Sequence, residues 1–313
     1  MALGQRAANC QPGETGKLHD EEGLAMGSDQ SSVRYVAVGV DGSRGCERAV
    51  DWAMTEARRR EWAVRLVHAV PRLHPPDPEP LLHDQRARVD RILSRARQVA
   101  GRYADVPTTI ERAETLGVDR GSALVEASRQ AECLVVGRVG EGWAANPLAG
   151  SVTRHVARHA ACPVAVIGDV TREPSARIVV GWDGSEDAEK ALGFALARAE
   201  RTHDSVTAIH AWSAAHLEHP SPVLRLPSGG LQAYETDAME HDIAPWREKF
   251  TSVGLVAEVI EGDAPRVLRS ASSHADLLVV GARGRSATGI VMGFGSTSRD
   301  LLRHAQCDIV IAR

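Results

Sequence analysis

Two glycine-bearing segments carry the chemistry that this sequence offers. The first reads Gly137-Arg138-Val139-Gly140, then nine residues, then Gly150-Ser151-Val152. The second reads Gly281-Ala282-Arg283-Gly284, then ten residues, then Gly295-Ser296-Thr297. Glycines lack a Cβ and let main-chain amides approach an anion closely. A Gly-Ser step that opens a helix adds unpaired N–H groups and the positive end of the helix dipole, which together suit a phosphate. Ser151 can cap its helix or offer its hydroxyl to a phosphate oxygen. Asp41 and Asp183, each in an Asp-Gly-Ser turn, have by themselves the plain turn-forming role of Asp before Gly.

The two sets differ. The first has Val139 between its glycines, and Glu141 follows the second glycine; a carboxylate about 4 Å from a phosphate is unfavourable by several kcal/mol near a protein surface. The second has Arg283 and Arg285, which favour phosphate, and one extra residue that a loop containing Gly289 and Gly293 absorbs at small entropic cost. The expectation is that both bind nucleotide, with unequal affinity. Other signatures are missing: there is no Gly-x4-Gly-Lys-Ser/Thr, no complete dinucleotide fingerprint and no Gly-x-Ser-x-Gly. His68 and His210 fall within strand-like runs and read as core or interface residues. His155 and His159 are spaced i, i+4, but without a neighbouring Glu or a third ligand they read as a solvated helix face, so no metal is expected there. Trp143 lies inside the first glycine loop, where it either stacks on a ligand or covers the loop.

The elements that must position these groups are written twice. Val40-Asp41-Gly42-Ser43 recurs as Trp182-Asp183-Gly184-Ser185, and His68-Ala69 as His210-Ala211, each 142 positions on. Leu134-Val135-Val136-Gly137 recurs as Leu278-Val279-Val280-Gly281, and Arg158-His159-Ala160 as Arg303-His304-Ala305. A period this long marks two duplicated domains. Tyr35 to Val40 is a continuous apolar run, as in a parallel strand buried on both faces. After the turn, Cys46, Ala49, Val50, Ala53, Met54 and Ala57 form one helical stripe, repeated at Ala188, Ala191, Leu192, Ala195, Leu196 and Ala199. Further strands are expected at 64–70, 108–112, 133–137 and 164–167, and at 206–212, 255–261, 277–281 and 309–311, with long helices over 82–103 and 231–253. Strands alternating with helices imply an α/β fold with a doubly wound parallel sheet in each copy. The reading divides the chain into a disordered tail (1–32), a first domain (33–168), a linker (169–176) and a second domain (177–313).

Composition narrows the class. Lys and Arg number 37 against 41 Asp and Glu, a formal net charge of −4, which argues against a protein built to neutralise nucleic-acid phosphates. No apolar run reaches the roughly 20 residues needed to span a bilayer, and the first 30 residues lack a signal-type stretch. Five cysteines without a Cys-x-x-Cys pair read as buried apolar residues in a reducing compartment. A cytoplasmic protein, bound neither to membrane nor to nucleic acid, is expected.

With the Val-Asp-Gly-Ser turn, the glycine loops and the His-Ala-x-Cys-Pro-Val ending at His159 to Val164, each copy resembles the universal stress protein domain, from Val33 to Arg313. The resemblance implies a tandem protein of the ATP-binding type, with five parallel strands per domain in the order 3-2-1-4-5, an adenine nucleotide alpha hydrolase-like fold. It implies that Asp41 and Asp183 contact the adenosine part and that Ala69 and Ala211 offer backbone groups to adenine. The glycine loops (Gly137, Gly140, Gly150, Ser151 and Val152; Gly281, Arg283, Gly284, Gly295, Ser296 and Thr297) would hold ribose and phosphates, with Mg2+ as a companion ion. It further implies that the last strands of the two copies pair across a pseudo-two-fold axis, leaving dimerisation between chains open. The leading functional reading is a non-catalytic, ATP-binding regulator of the stress response, because the cradles lack a positioned base or nucleophile. Trace ATP hydrolysis or self-phosphorylation is compatible with it. The alternative is a nucleotide-free scaffold of the same fold. A third reading, substrate adenylation, lacks the loop it needs after the first strand.

Overall fold

The computed structural model describes residues 33–71, 79–115, 119–139, 150–169, 173–213, 228–285 and 294–313. The tail over 1–32, Gly140, Glu141, Trp143, Gly289 and Gly293 lie outside the described residues, as does the middle of the linker, 170–172.

The first copy runs β1 (Tyr35–Gly39), α1 (Arg44–Arg60), β2 (Ala63–Pro71), α2 (Glu79–Ala100), β3 (Thr108–Thr115), α3 (Arg120–Ala127), β4 (Cys133–Gly137), α4 (Ser151–His159) and β5 (Val164–Ile167). The second repeats it as β6 (Arg177–Trp182), α5 (Glu186–Thr202), β7 (Ser205–Trp212), α6 (Ser228–Lys249), β8 (Leu255–Glu261), α7 (Ala264–Ser272), β9 (Leu277–Gly281), α8 (Ser296–His304) and β10 (Asp308–Ala312). Strand order is β3-β2-β1-β4-β5 in the first copy and its mirror in the second, so 3-2-1-4-5 holds in both. The long helices begin and end about three residues earlier than their periodicity suggests. The short helices α3 and α7 had no sequence assignment, since eight or nine residues give periodicity too little length to declare itself.

The strands are buried on both faces, which is why they read as apolar runs. Val36, Val38 and Val40 point into one core with the α1 stripe, while Tyr35 and Ala37 point into the other with Val156 of α4. The two copies join into one ten-stranded sheet, because β5 and β10 pair antiparallel with Val166 opposite Ile309, Ala165 opposite Val310 and Val164 opposite Ile311. Both cores run through this seam, with Ala165 and Val310 on one side and Val166 and Ile309 on the other. The pairing hides two apolar strand edges that would otherwise be open.

Charged groups also cross the seam. Glu56 of α1, 3% exposed, accepts from Nε of Arg60 at 2.6 Å and from Nη1 of Arg198 on α5. Glu56 and Arg198 stand 142 positions apart, so they are the same residue of the repeat with opposite charge. Arg198 lies over the Trp52 ring at 5.0 Å and Arg60 over the Phe194 ring at 5.5 Å, and the two rings are themselves related by the repeat. Arg138 donates to the carbonyls of Ala305 and Cys307 beyond the end of α8, where a cation is favoured, and Arg313 donates to the Ala157 carbonyl in α4. On β10, Asp308 accepts from the Gly168 amide at 2.9 Å.

Cys46, Cys133, Cys162 and Cys307 are buried and free of disulfides. Burial pushes the Cys46 thiol up to about 11 and Cys162 up to about 12, and raises Cys133 as well. At pH 8 these groups therefore hold less thiolate than an exposed cysteine does, and the thiolate is the reactive form. Iodoacetamide at pH 8 should leave all four unmodified in the native protein and label them after denaturation, as peptide mass spectrometry would read. Labelling of Cys162 at the rate of a free thiol would contradict the burial.

Candidate functional site

In both copies the carboxyl end of the first strand turns through Asp-Gly-Ser in the same way. Asp41 Oδ1 accepts from the Ser43 amide at 3.0 Å and its hydroxyl at 2.7 Å, and Asp183 Oδ1 accepts from the Ser185 amide at 3.1 Å and its hydroxyl at 2.6 Å. The serine then caps the following helix, Ser43 accepting from the Cys46 amide and Ser185 from the Ala188 amide. Gly42 and Gly184 have φ of +85° and +71°, the left-handed region that a side chain disfavours. Each aspartate thus builds the turn with one oxygen.

Beside this turn, at the ends of β2 and β7, His68 Nδ1 donates to the Val40 carbonyl at 2.6 Å and His210 Nδ1 to the Trp182 carbonyl at 2.9 Å. Burial holds His68 below the usual imidazole range. Both rings tie the first strand's exit to the second strand, as the core reading expects. Ala69 and Ala211 follow them, paired with Ala113 and Ile260 on the edge strands β3 and β8. His159 donates from Nδ1 to the His155 carbonyl at 2.9 Å. Among the described residues no group of three or more His, Cys, Asp or Glu side chains could hold a metal ion.

The glycine segments split into two roles. Gly137 and Gly281 end β4 and β9 against the first turn of α1 and α5. A Cβ on Gly137 would lie 2.9 Å from the carbonyl carbon of Gly45, and one on Gly281 would lie 2.9 Å from the carbonyl carbon of Asp187. These two glycines let a strand end touch a helix backbone. The second role belongs to Gly150 and Gly295, which open α4 and α8. The Gly150 amide donates to the Arg138 carbonyl at 3.0 Å and the Gly295 amide to the Ala282 carbonyl at 2.8 Å. Thr153 Oγ1 donates to the Gly137 carbonyl at 2.9 Å and Ser298 Oγ to the Gly281 carbonyl at 2.6 Å, pinning each helix to its strand. Helices α1, α3, α5 and α7 are capped by Ser43, Asp119, Ser185 and Asp263, whereas α4 and α8 begin on glycine with no side-chain cap. The first-turn amides of residues 151 and 152, and of 296 and 297, therefore meet no capping side chain. Taken by itself, either helix start suits an anion, and what surrounds it decides whether one can enter. Ser151 and Ser296 are the first helical residues, so the capping role that the sequence allowed Ser151 is not used.

The second copy departs from the first at the loop. Asp183 Oδ2 accepts from the Arg285 amide at 2.9 Å. Asp187 Oδ2 accepts from both the amide and Nε of Arg283, each at 3.1 Å, and Lys190 Nζ stands 3.5 Å from its other oxygen. Burial acts to raise the Asp187 carboxyl, but the Arg283 hydrogen bond and charge, with Lys190, outweigh it and hold it below the usual carboxylate range. Gly284 leaves room for this arrangement, since a Cβ there would sit 2.5 Å from Asp183 Oδ2 and push the carboxylate aside. In the first copy the position equivalent to Asp187 is Gly45, which lies against the Val139 carbonyl. Asp187 carried no weight in the sequence reading; the signal was a carboxylate in one repeat where the other has glycine.

A model of the universal stress protein family matches residues 33–168 and 175–313. A universal stress protein of Mycobacterium tuberculosis is 31% identical over 301 residues, covering 92% of this chain and 99% of that one. Another from the same organism is 33% identical over 296 residues, covering 89% and 96%. The crystal structure of a universal stress protein from Archaeoglobus fulgidus superposes with a TM-score of 0.66 at 15% identity, covering 90% of this chain and 99% of that one, a likeness of fold. No helix among the described residues is long and apolar enough to cross a membrane.

Proposed function

The chain belongs to the universal stress protein family, and from that premise we propose that it binds an adenine nucleotide, with ATP as the expected species, and acts without catalysis as a regulator of the stress response. The observation that carries this reading is the helix α4 that opens on Gly150 without a side-chain cap, at the carboxyl end of a parallel strand where doubly wound sheets take ligands. In this reading the amides of Ser151 and Val152 hold the phosphates. Asp41 and the backbone of Ala69 face the adenosine part. Mg2+ would ride on phosphate oxygens and water, the usual state of that ion beside a nucleotide. Arg138 supports the regulatory side of the proposal: it leaves the first glycine loop to grip the end of α8, so the loop and the second copy are mechanically joined.

The test is a substitution with opposite expected effects on folding and binding. Gly150 has φ −57° and ψ 160°, a conformation open to any residue, and aspartate is a better N-cap than glycine by a few tenths of a kcal/mol. Gly150→Asp should therefore fold at least as stably as wild type while placing a carboxylate where the phosphate would sit. We expect gently purified wild-type protein to release adenine nucleotide on heating and to give a binding isotherm with ATP, and Gly150→Asp to do neither. Wild-type protein with no nucleotide and no heat of binding would defeat the proposal in favour of the nucleotide-free scaffold.

A further inference from the structure

We infer that Asp187 closes the second cradle to nucleotide, so that one chain binds one nucleotide, in the first copy alone; the inference rests on the nucleotide-binding reading above. An anion-binding loop works by presenting N–H groups that lack an acceptor. In the second copy the amides of Arg283 and Arg285 already have one, the carboxylates of Asp187 and Asp183 at 3.1 and 2.9 Å. The Arg283 side chain, which in sequence looks like a phosphate grip, is bound to Asp187 through Nε. Asp187 is 4% exposed and stands on the first turn of α5, a rigid position that a mobile carboxylate would not have. It acts as a built-in substitute for the ligand's anion, and a phosphate would have to displace it.

Nucleotide bound per chain, measured by native mass spectrometry and by calorimetry with ATP, tests this directly. Wild type should hold one and Gly150→Asp none. Asp187→Gly restores the residue that the first copy uses at Gly45 and should raise wild type from one to two, and Gly150→Asp from none to one. Asp187→Asn, which keeps the side chain's shape and loses its charge, is the control should the glycine variant unfold; it should also gain the second site, with weaker affinity. Two nucleotides on wild type, or no gain from either folded Asp187 variant, overturns the inference. No nucleotide on wild type with one on Asp187→Gly defeats binding in the first copy and leaves the closing role of Asp187 standing.

Discussion

Glu56→Ala is expected to lower the stability of the chain by about 3–5 kcal/mol, the range for removing one partner of a desolvated ion pair. At this chain length that is a fall in melting temperature on the order of ten degrees. The carboxylate is 3% exposed and answers two guanidinium groups, Arg60 and Arg198, whose side chains are only 11% and 13% exposed. Deleting it strands two like charges between α1 and α5, where little water can reach them. Arg60 Nη2 and Arg198 Nε are already buried without a hydrogen-bond acceptor, so the pair has nowhere to turn. Arg198→Ala should be milder, because Glu56 keeps Arg60. The exchange Glu56→Arg with Arg198→Glu should recover part of the loss. A urea melt within about 1 kcal/mol of wild type for Glu56→Ala would show that the pair is solvated and that the seam is held by strand pairing and apolar packing alone.

Gly137→Val should cost more than binding: it should prevent the chain from reaching its native packing. The three nearest atoms that a Cβ would meet all belong to backbone, the carbonyl carbon and oxygen of Gly45 at 2.9 and 3.2 Å and the Cys46 amide nitrogen at 3.3 Å. None can rotate away, so β4 must part from the first turn of α1. Overpacking typically costs about 1–3 kcal/mol where side chains can yield, and here none can. Gly137→Ala should already fall in that range. Thermal melts and near-ultraviolet circular dichroism would read this. A Gly137→Val protein that melts like wild type would contradict the packing role and return the residue to the ligand loop. Valine at this position is therefore a test of the fold, and Gly150→Asp the test of the ligand.

The two glycines show where sequence reasoning succeeds and where it stops. The repeated strands were legible because burial on both faces leaves no polar positions in them, as in Cys133–Gly137 and Leu277–Gly281. The α1 and α5 stripes were legible because a helix on a sheet buries one face only. Spacing also located the Gly-Ser helix starts. It did not distinguish Gly137, which serves close packing, from Gly150, which leaves a helix uncapped, because both functions ask for the same missing Cβ. Charge was harder still. Arg283 and Arg285 read as favourable to phosphate in the second loop, since a sequence displays a side chain's charge and conceals its partner. Those partners, Asp187 and Asp183, lie about a hundred residues earlier and reach the loop only once β6 and β9 pair. Likewise Arg138, a basic residue between two cradle glycines, is spent on carbonyls across the seam.

The antiparallel seam between β5 and β10 also bears on how such a chain can change over generations. In an assembly of two identical chains every substitution is made twice, and a glutamate beside the axis would confront its own image. Fusion lifts that constraint. Each half inherits its own mutations, so Glu56 can meet an arginine in the mirror position, and one pocket can be given up without disturbing the other.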